Sequence, residues 1–128
     1  MKIIISNSSN APIYEQIKEQ IKSAILSGEI KETEMLPSIR TLAKELKISA
    51  ITTTRAYSDL EQEGFIKTMQ GKGCFVLPTN TQMMKESVLR EVEESILSAA
   101  KIARMAGLTR AEFQHIVDFI LKEEELYE

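Results

Sequence analysis

The sequence is poor in the residues that protein chemistry most often needs. In 128 residues it has no tryptophan, one cysteine, one histidine, five glycines and three prolines. The single thiol, Cys74, excludes an internal disulfide and fits a reducing compartment, so the chain reads as cytoplasmic. His115 and Cys74 do not stand at a zinc-ligand spacing. No nucleophile is placed with a base, and no glycine-rich phosphate loop follows a strand. These residues ask for no metal, no cofactor and no catalytic centre, which leaves an enzyme as the most distant reading. No apolar run approaches the roughly 18 residues of a membrane span. Met1 to Ile5 is too short for a signal-peptide core and has no small-residue cleavage site after it. With aromatics at 5%, the core has to be aliphatic.

What is present suits a small soluble domain with an appendage: 43% apolar and 27% charged residues. The net charge of −3 is unevenly spread. Residues 1–78 carry ten Lys/Arg against nine Asp/Glu, and residues 79–128 carry six against ten. Phosphate binding needs a local basic face rather than a basic chain. The acidic second part therefore leaves a nucleic-acid partner open for the first. The runs Glu91 to Glu94 and Glu123 to Glu125 read as solvated helix faces. Composition shifts at Pro78 to Thr81, which divides residues 1–78 from residues 79–128.

Apolar spacing gives the elements. Ile13, Ile17, Ile21, Ala24 and Ile25 recur at helical intervals. Asn10 is the expected cap, Pro12 lies in the first turn, and Gly28 ends the helix. Glu29 to Met35 reads as a connector. Ser38 then caps a short helix with Ile39, Leu42, Ala43 and Leu46 on one side. Ser49 caps the next, in which Thr53, Ala56, Tyr57 and Leu60 face inward and Gly64 closes the helix. Phe65 to Met69 and Cys74 to Leu77 are strand-like around Gln70-Gly71-Lys72-Gly73. Short helix, tight turn, capped helix and hairpin, in that order, predict a winged helix-turn-helix. Two helices follow. Val88, Val92, Ile96, Ala99 and Ala103 line the first, and Phe113, Ile116, Val117 and Ile120 the second, behind a Thr109/Glu112 capping box. These stripes are expected to bury against each other and against a second copy. The fold class is mainly α with a small β wing (α+β), a winged head followed by a two-helix dimerisation region.

A reading helix contacts bases from its N-terminal turns. That singles out Ala50, Ile51, Thr52, Thr54 and Arg55, with Ser49 at the cap. Small apolar and hydroxyl side chains suit thymine methyls, base edges and phosphates. Arg40 is a strong bidentate donor near the groove, and the cap Ser38 beside it is a candidate DNA contact as well. Lys67, Gln70, Gly71 and Lys72 put the wing within reach of phosphates or the minor groove. Each feature also has a plainer use: serines cap helices, arginines stay solvated, glycines make turns. Their order along the chain is what favours DNA.

The same residues resemble the GntR family of winged-helix transcription regulators. Pro12-Ile13-Tyr14-Glu15-Gln16-Ile17 and Ile25-Leu26-Ser27-Gly28-Glu29-Ile30 match the first helix. Leu36-Pro37-Ser38-Ile39-Arg40-Thr41-Leu42-Ala43 matches the family's L-P-S-x-R-x-L-A signature. Ala56-Tyr57 through Phe65-Ile66, then Gly71-Lys72-Gly73-Cys74-Phe75-Val76, complete it. The short helical tail looks like the YtrA subfamily. The resemblance implies a homodimeric DNA-binding regulator, a repressor on a palindromic operator, with an ABC-transporter operon as the controlled genes. It implies DNA contact by Arg40, Ser49, Thr52 and Gly71. Ala50, Ile51 and Thr54 depart from the polar or basic residues frequent in the family. Glu32-Thr33 replaces its Pro-Gly. The competing reading is a winged-helix protein–protein module without specific DNA binding.

Overall fold

A computed structural model describes residues 1–124; Glu125, the end of one acidic run, lies outside them. The order of elements is α1 (Ile13–Leu26), α2 (Ile39–Leu46), α3 (Ala50–Gln62), β1 (Ile66–Met69), β2 (Gly73–Val76), α4 (Gln82–Met105) and α5 (Arg110–Glu123). The mainly helical class with a small wing is the one the spacing predicts. Contacts divide the chain inside α4, between Ser87 and Val88, into two compact units.

The first unit is built around α3, which packs against α1, α2 and β1. Ile17, Ile21, Ala24 and Ile25 of α1 are buried, as are Thr53, Ala56, Tyr57 and Leu60 of α3, on which α1 packs; Leu42 and Ala43 of α2 are buried too, and α2 packs on α3. Complete burial of an isoleucine such as Ile17 stabilises the fold by about 2 kcal/mol. The cap of α1 differs from expectation. Pro12 holds the N-cap position, no side chain caps it, and its carbonyl accepts the Glu15 and Gln16 N–H groups. Asn10 stands two residues too early to reach the first free N–H groups. The segment before α1 is instead held by two glutamine amides. Gln20 bonds both backbone groups of Ile4 at 2.9 and 2.7 Å, and Gln16 does the same for Ser6 at 2.8 and 3.0 Å.

The wing pairs antiparallel from Ile66↔Val76 to Met69↔Gly73. The Lys72 N–H closes its tip on the Met69 carbonyl at 2.8 Å, and Gly71 supplies the positive φ of 78° that this turn needs. The stretch expected to be a connector also joins the sheet. Met35 bridges to Phe75, and the Leu36 and Val76 N–H groups bond Cys74 and Glu34 carbonyls. No alternation in Glu32 to Met35 announces that edge. Just before it, Thr33 takes a φ of 68°, a left-handed conformation that a β-branched residue resists. Gly64 closes α3 with a φ of 87°, and a Cβ there would stand 3.0 Å from Met83 and 3.1 Å from the Met84 backbone. The start of α4 therefore rests on a surface that glycine leaves bare.

The second unit holds the rest of α4 and α5. The Thr109/Glu112 capping box forms as expected, with Thr109 Oγ1 accepting the Glu112 N–H at 3.1 Å and Glu112 accepting the Thr109 N–H at 2.8 Å. No residue of α5 is buried among those described. The expectation that the two stripes bury on each other is thus not met within one chain. Val92, Ile96, Leu97, Ile102, Ile116, Phe119 and Ile120 stay exposed. The apolar residues of α4 spread over too wide an arc for one neighbouring helix to cover.

Candidate nucleic-acid interface

Two short helices and the turn between them set the geometry. Lys47 takes the left-handed conformation after α2, and the Ile48 N–H returns to the Ala43 carbonyl at 3.0 Å. This compact turn lets Ser49 cap α3 three residues after α2 ends. Both caps use one device. Ser38 accepts the Thr41 N–H and donates to the Thr41 hydroxyl; Ser49 does the same to Thr52. In each box the serine proton is used, while the threonine hydroxyl keeps its own proton to donate outward. A cap of this kind contributes about 1 kcal/mol to its helix.

The inward face of α3 is the one the spacing predicts: Thr53, Ala56, Tyr57 and Leu60 are buried. Ala50, Ile51, Thr54, Arg55 and Ser58 are exposed and Thr52 is half-buried. Ile51 is 83% exposed, an apolar side chain held in solvent at the start of the helix. Arg40 is exposed on the first turn of α2. Lys67 on β1 and Gln70, Gly71 and Lys72 at the wing tip are exposed as well. All twelve candidate DNA-contact positions fall in the first unit, divided between the α2–α3 pair and the hairpin. Of the nine candidate dimerisation positions, Ala103 is buried; Val88, Phe113 and Val117 are half-buried; Val92, Ile96, Ala99, Ile116 and Ile120 are exposed.

Side chains outside that set hold the interface in place. The Tyr57 hydroxyl donates to the Pro37 carbonyl at 2.7 Å, fixing α3 to the chain just before α2. Burial, with smaller effects from Cys74 and Glu45, pushes this phenol far above its ordinary range. The Glu61 carboxylate accepts from the Thr68 hydroxyl at 3.0 Å and ties β1 to α3. Between α1 and α3 runs a ladder at four-residue steps on both helices. Arg55 lies over the Tyr14 ring at 3.8 Å from its centre. Lys18 meets Glu63 at 3.0 Å and Asp59 at 4.0 Å, and Lys22 meets Glu63 at 3.1 Å. The pairs run in the same direction along both chains, so α1 and α3 lie parallel with their N-termini at one end.

Lys22 is 4% exposed and also stacks on Phe65. Burial alone would raise the Glu63 carboxyl, but hydrogen bonds from Lys18 and Lys22 and their charges outweigh it and hold the group below its usual range. Burial likewise opposes the Lys18 charge, and the Glu63 contact overcomes it and raises the ammonium. Apart from Arg55, a candidate contact on the reading helix, these ladder residues carry no mark in the apolar spacing. Their signal was polar: positions 14, 18, 22 and 55, 59, 63 form complementary stripes at helical spacing.

A serine-capped pair of helices with an exposed second helix and a hairpin beside it defines a winged helix-turn-helix, a fold that presents one helix to a DNA groove. The sequence signature described as "Bacterial regulatory proteins, gntR family" matches residues 13–76, and the chain belongs to that family. It is 34% identical over 106 residues to the HTH-type transcriptional repressor YtrA of Bacillus subtilis, covering 83% of this chain and 82% of that protein. The 106 matched residues exceed the winged head, so the similarity to that repressor reaches into the helical tail. The crystal structure of a transcriptional antiterminator from Listeria monocytogenes superimposes with a TM-score of 0.76 at 28% identity, over 94% of this chain and 90% of that one. The AraR DNA-binding domain in complex with its operator ORX1 matches 59% of this chain and 95% of its own, with a TM-score of 0.53 at 29% identity. The family is one of regulatory proteins rather than enzymes.

Proposed function

We propose that the protein is a cytoplasmic repressor that binds a palindromic operator as a homodimer. The observation that carries this is the exposed N-terminal face of α3, with Ile51 at 83% exposure in the first turn after the Ser49 cap. Ala50 and Ile51 would meet thymine methyls in the major groove, and the Thr52 and Thr54 hydroxyls would donate to base edges or phosphates. The Ser38 and Ser49 hydroxyls are spent on their caps, so these residues act through the helix starts they order. Arg40 and Arg55 would grip phosphate or guanine. Lys67, Gln70, Gly71 and Lys72 would bring the wing to the backbone or minor groove.

Dimerisation is supported by the tail, whose apolar residues from Val92 to Ile120 are too exposed for a lone chain. A second copy would cover them and set two α3 helices about 34 Å apart, one turn of DNA. The named repressor YtrA, similar over most of its length, supports the repressor reading, and the AraR complex supports an operator partner. Control of an ABC-transporter operon belongs to the same proposal.

The test is a gel-shift titration with the DNA upstream of the protein's own gene at several salt concentrations. A shift that weakens with salt is expected, and Arg40→Ala should weaken it by roughly 1–3 kcal/mol. Absence of any shift, together with capture of a protein partner by the winged head, would favour the protein–protein module instead.

A further inference from the structure

The ladder between α1 and α3 changes character at one end. At Lys22 and Lys18 each rung is an ion pair with Glu63 or Asp59. At the N-terminal end the rung is Arg55 on Tyr14, and no carboxylate pairs with Arg55 among the described residues. An aromatic face holds a guanidinium in place without neutralising it. The guanidinium carbon stands 3.8 Å from the ring centre, and an N–H edge of the exposed group can serve a bidentate acceptor.

Position also counts. At 3.6 residues per turn, Arg55 follows Ile51 by about one turn and lies about 100° round the helix from Ala56 and about 140° from Leu60, at the border between the exposed face and the face toward α1. It is exposed, near the end of α3 that Ser49 caps, which is the end a reading helix turns toward DNA. Thr54 beside it carries no charge. Arg55 is therefore the cation that α3 itself presents on this face.

We infer that Tyr14 is a positioning residue for DNA binding, holding the Arg55 guanidinium as an oriented clamp for a backbone phosphate. The inference rests on the proposed DNA-binding function and deepens it. Tyr14 itself reaches no DNA; it lowers the cost of ordering a long side chain, which is a main cost of using one at an interface. α1, otherwise a core helix, thereby contributes to affinity through its first turn. A phosphate contact of this kind carries no sequence preference and adds to the salt dependence of binding.

The test uses the full chain and a duplex recovered from a random-sequence pool by the wild-type protein. Binding is followed by fluorescence anisotropy between low and moderate salt, and urea midpoints are measured on every variant. Arg55→Gln is expected to weaken binding about tenfold and to reduce the salt slope by about one counterion. Tyr14→Leu, which keeps apolar bulk without the aromatic face, should reproduce most of that loss. Tyr14→Phe should bind like wild type. The double variant Tyr14→Leu/Arg55→Gln should bind no more weakly than Arg55→Gln alone. Wild-type affinity in Tyr14→Leu, or additive losses in the double variant, would overturn the inference. So would unchanged affinity in Arg55→Gln, while leaving DNA binding intact. Failure of the pool to yield any duplex would overturn the DNA-binding reading as well.

Discussion

The two units of the chain spend their apolar residues in opposite ways. In the first, isoleucines of α1 and the inward residues of α3 are buried to a few per cent, and every buried polar side-chain atom has a partner among the described residues. In the second, α5 has no fully buried residue and α4 exposes Val92, Ile96, Leu97 and Ile102. Both show the same 3–4 spacing in the sequence. Amphipathic spacing therefore tells which side of a helix wants cover, and says nothing of whether that cover lies in the same chain. The head supplies its own; the tail's is proposed to come from a second copy.

The largest expected effect breaks the tail. Ile96→Glu, at the middle of the exposed stripe, should weaken self-association by roughly 100-fold, about 3 kcal/mol, while leaving the head folded. Sedimentation equilibrium measures the first and the head's unfolding midpoint the second. A monomeric wild-type protein at micromolar concentration would remove the contrast altogether.

Glu63→Ala should act on the head alone. It takes the shared partner from Lys18 and Lys22, and is expected to cost about 2–3 kcal/mol in urea denaturation. The same site gives a pH dependence of known sign. The folded carboxyl titrates below its ordinary value of 4.5, so its contribution is present above that value and is lost as pH falls through the folded-state value. The Lys18 ammonium, raised above 10.5, contributes below that pH, and its share is lost as pH rises through the higher folded-state value. Stability of wild type against Glu63→Gln, followed from neutral pH to pH 2, should converge at the acid end. Parallel curves would refute the pairing as a stabilising contact.

Gly64→Ala should cost about 2 kcal/mol, from the left-handed backbone and the contact with Met83 and Met84. The smallest effect has the opposite sign. Thr33→Gly should stabilise the head by about 0.5–1 kcal/mol, because glycine accepts the φ of 68° that threonine resists, less the entropy it adds to the unfolded chain. A thermal scan of the two glycine-related variants tests both.

Much of the head could be read in the sequence because local rules and burial agree there. Ser38, Ser49 and Gly28 sit at helix ends where capping places them, and Thr53, Ala56, Tyr57 and Leu60 face inward as their spacing requires. What escaped reading depends on partners far along the chain. Met35 joins the sheet through Phe75, forty residues on, and nothing local marks it. Asn10 lost its cap to Pro12 because the helix starts two residues later than its capping chemistry suggested. Thr33 was visible as the replacement of a glycine, but its strain is visible only in the backbone angle. Of the candidate site, the exposed positions were legible from the helix wheel. The contacts that steady them, such as Tyr14 on Arg55 and Glu61 on Thr68, join separate elements and needed the fold.

The exposed face of α3 is made mostly of methyls and hydroxyls, with Ile51 at its start largely in solvent. Such a surface recognises shape and gains little from charge. On DNA of the wrong sequence a protein is held mainly by phosphate contacts, and this face offers few of them. Dwell times on non-target DNA should then be short, and the search for an operator should proceed by frequent release and rebinding. Thymine C5 methyl groups would act as the latch, so replacing thymine by uracil in the operator would lengthen the search without altering the charge of the duplex.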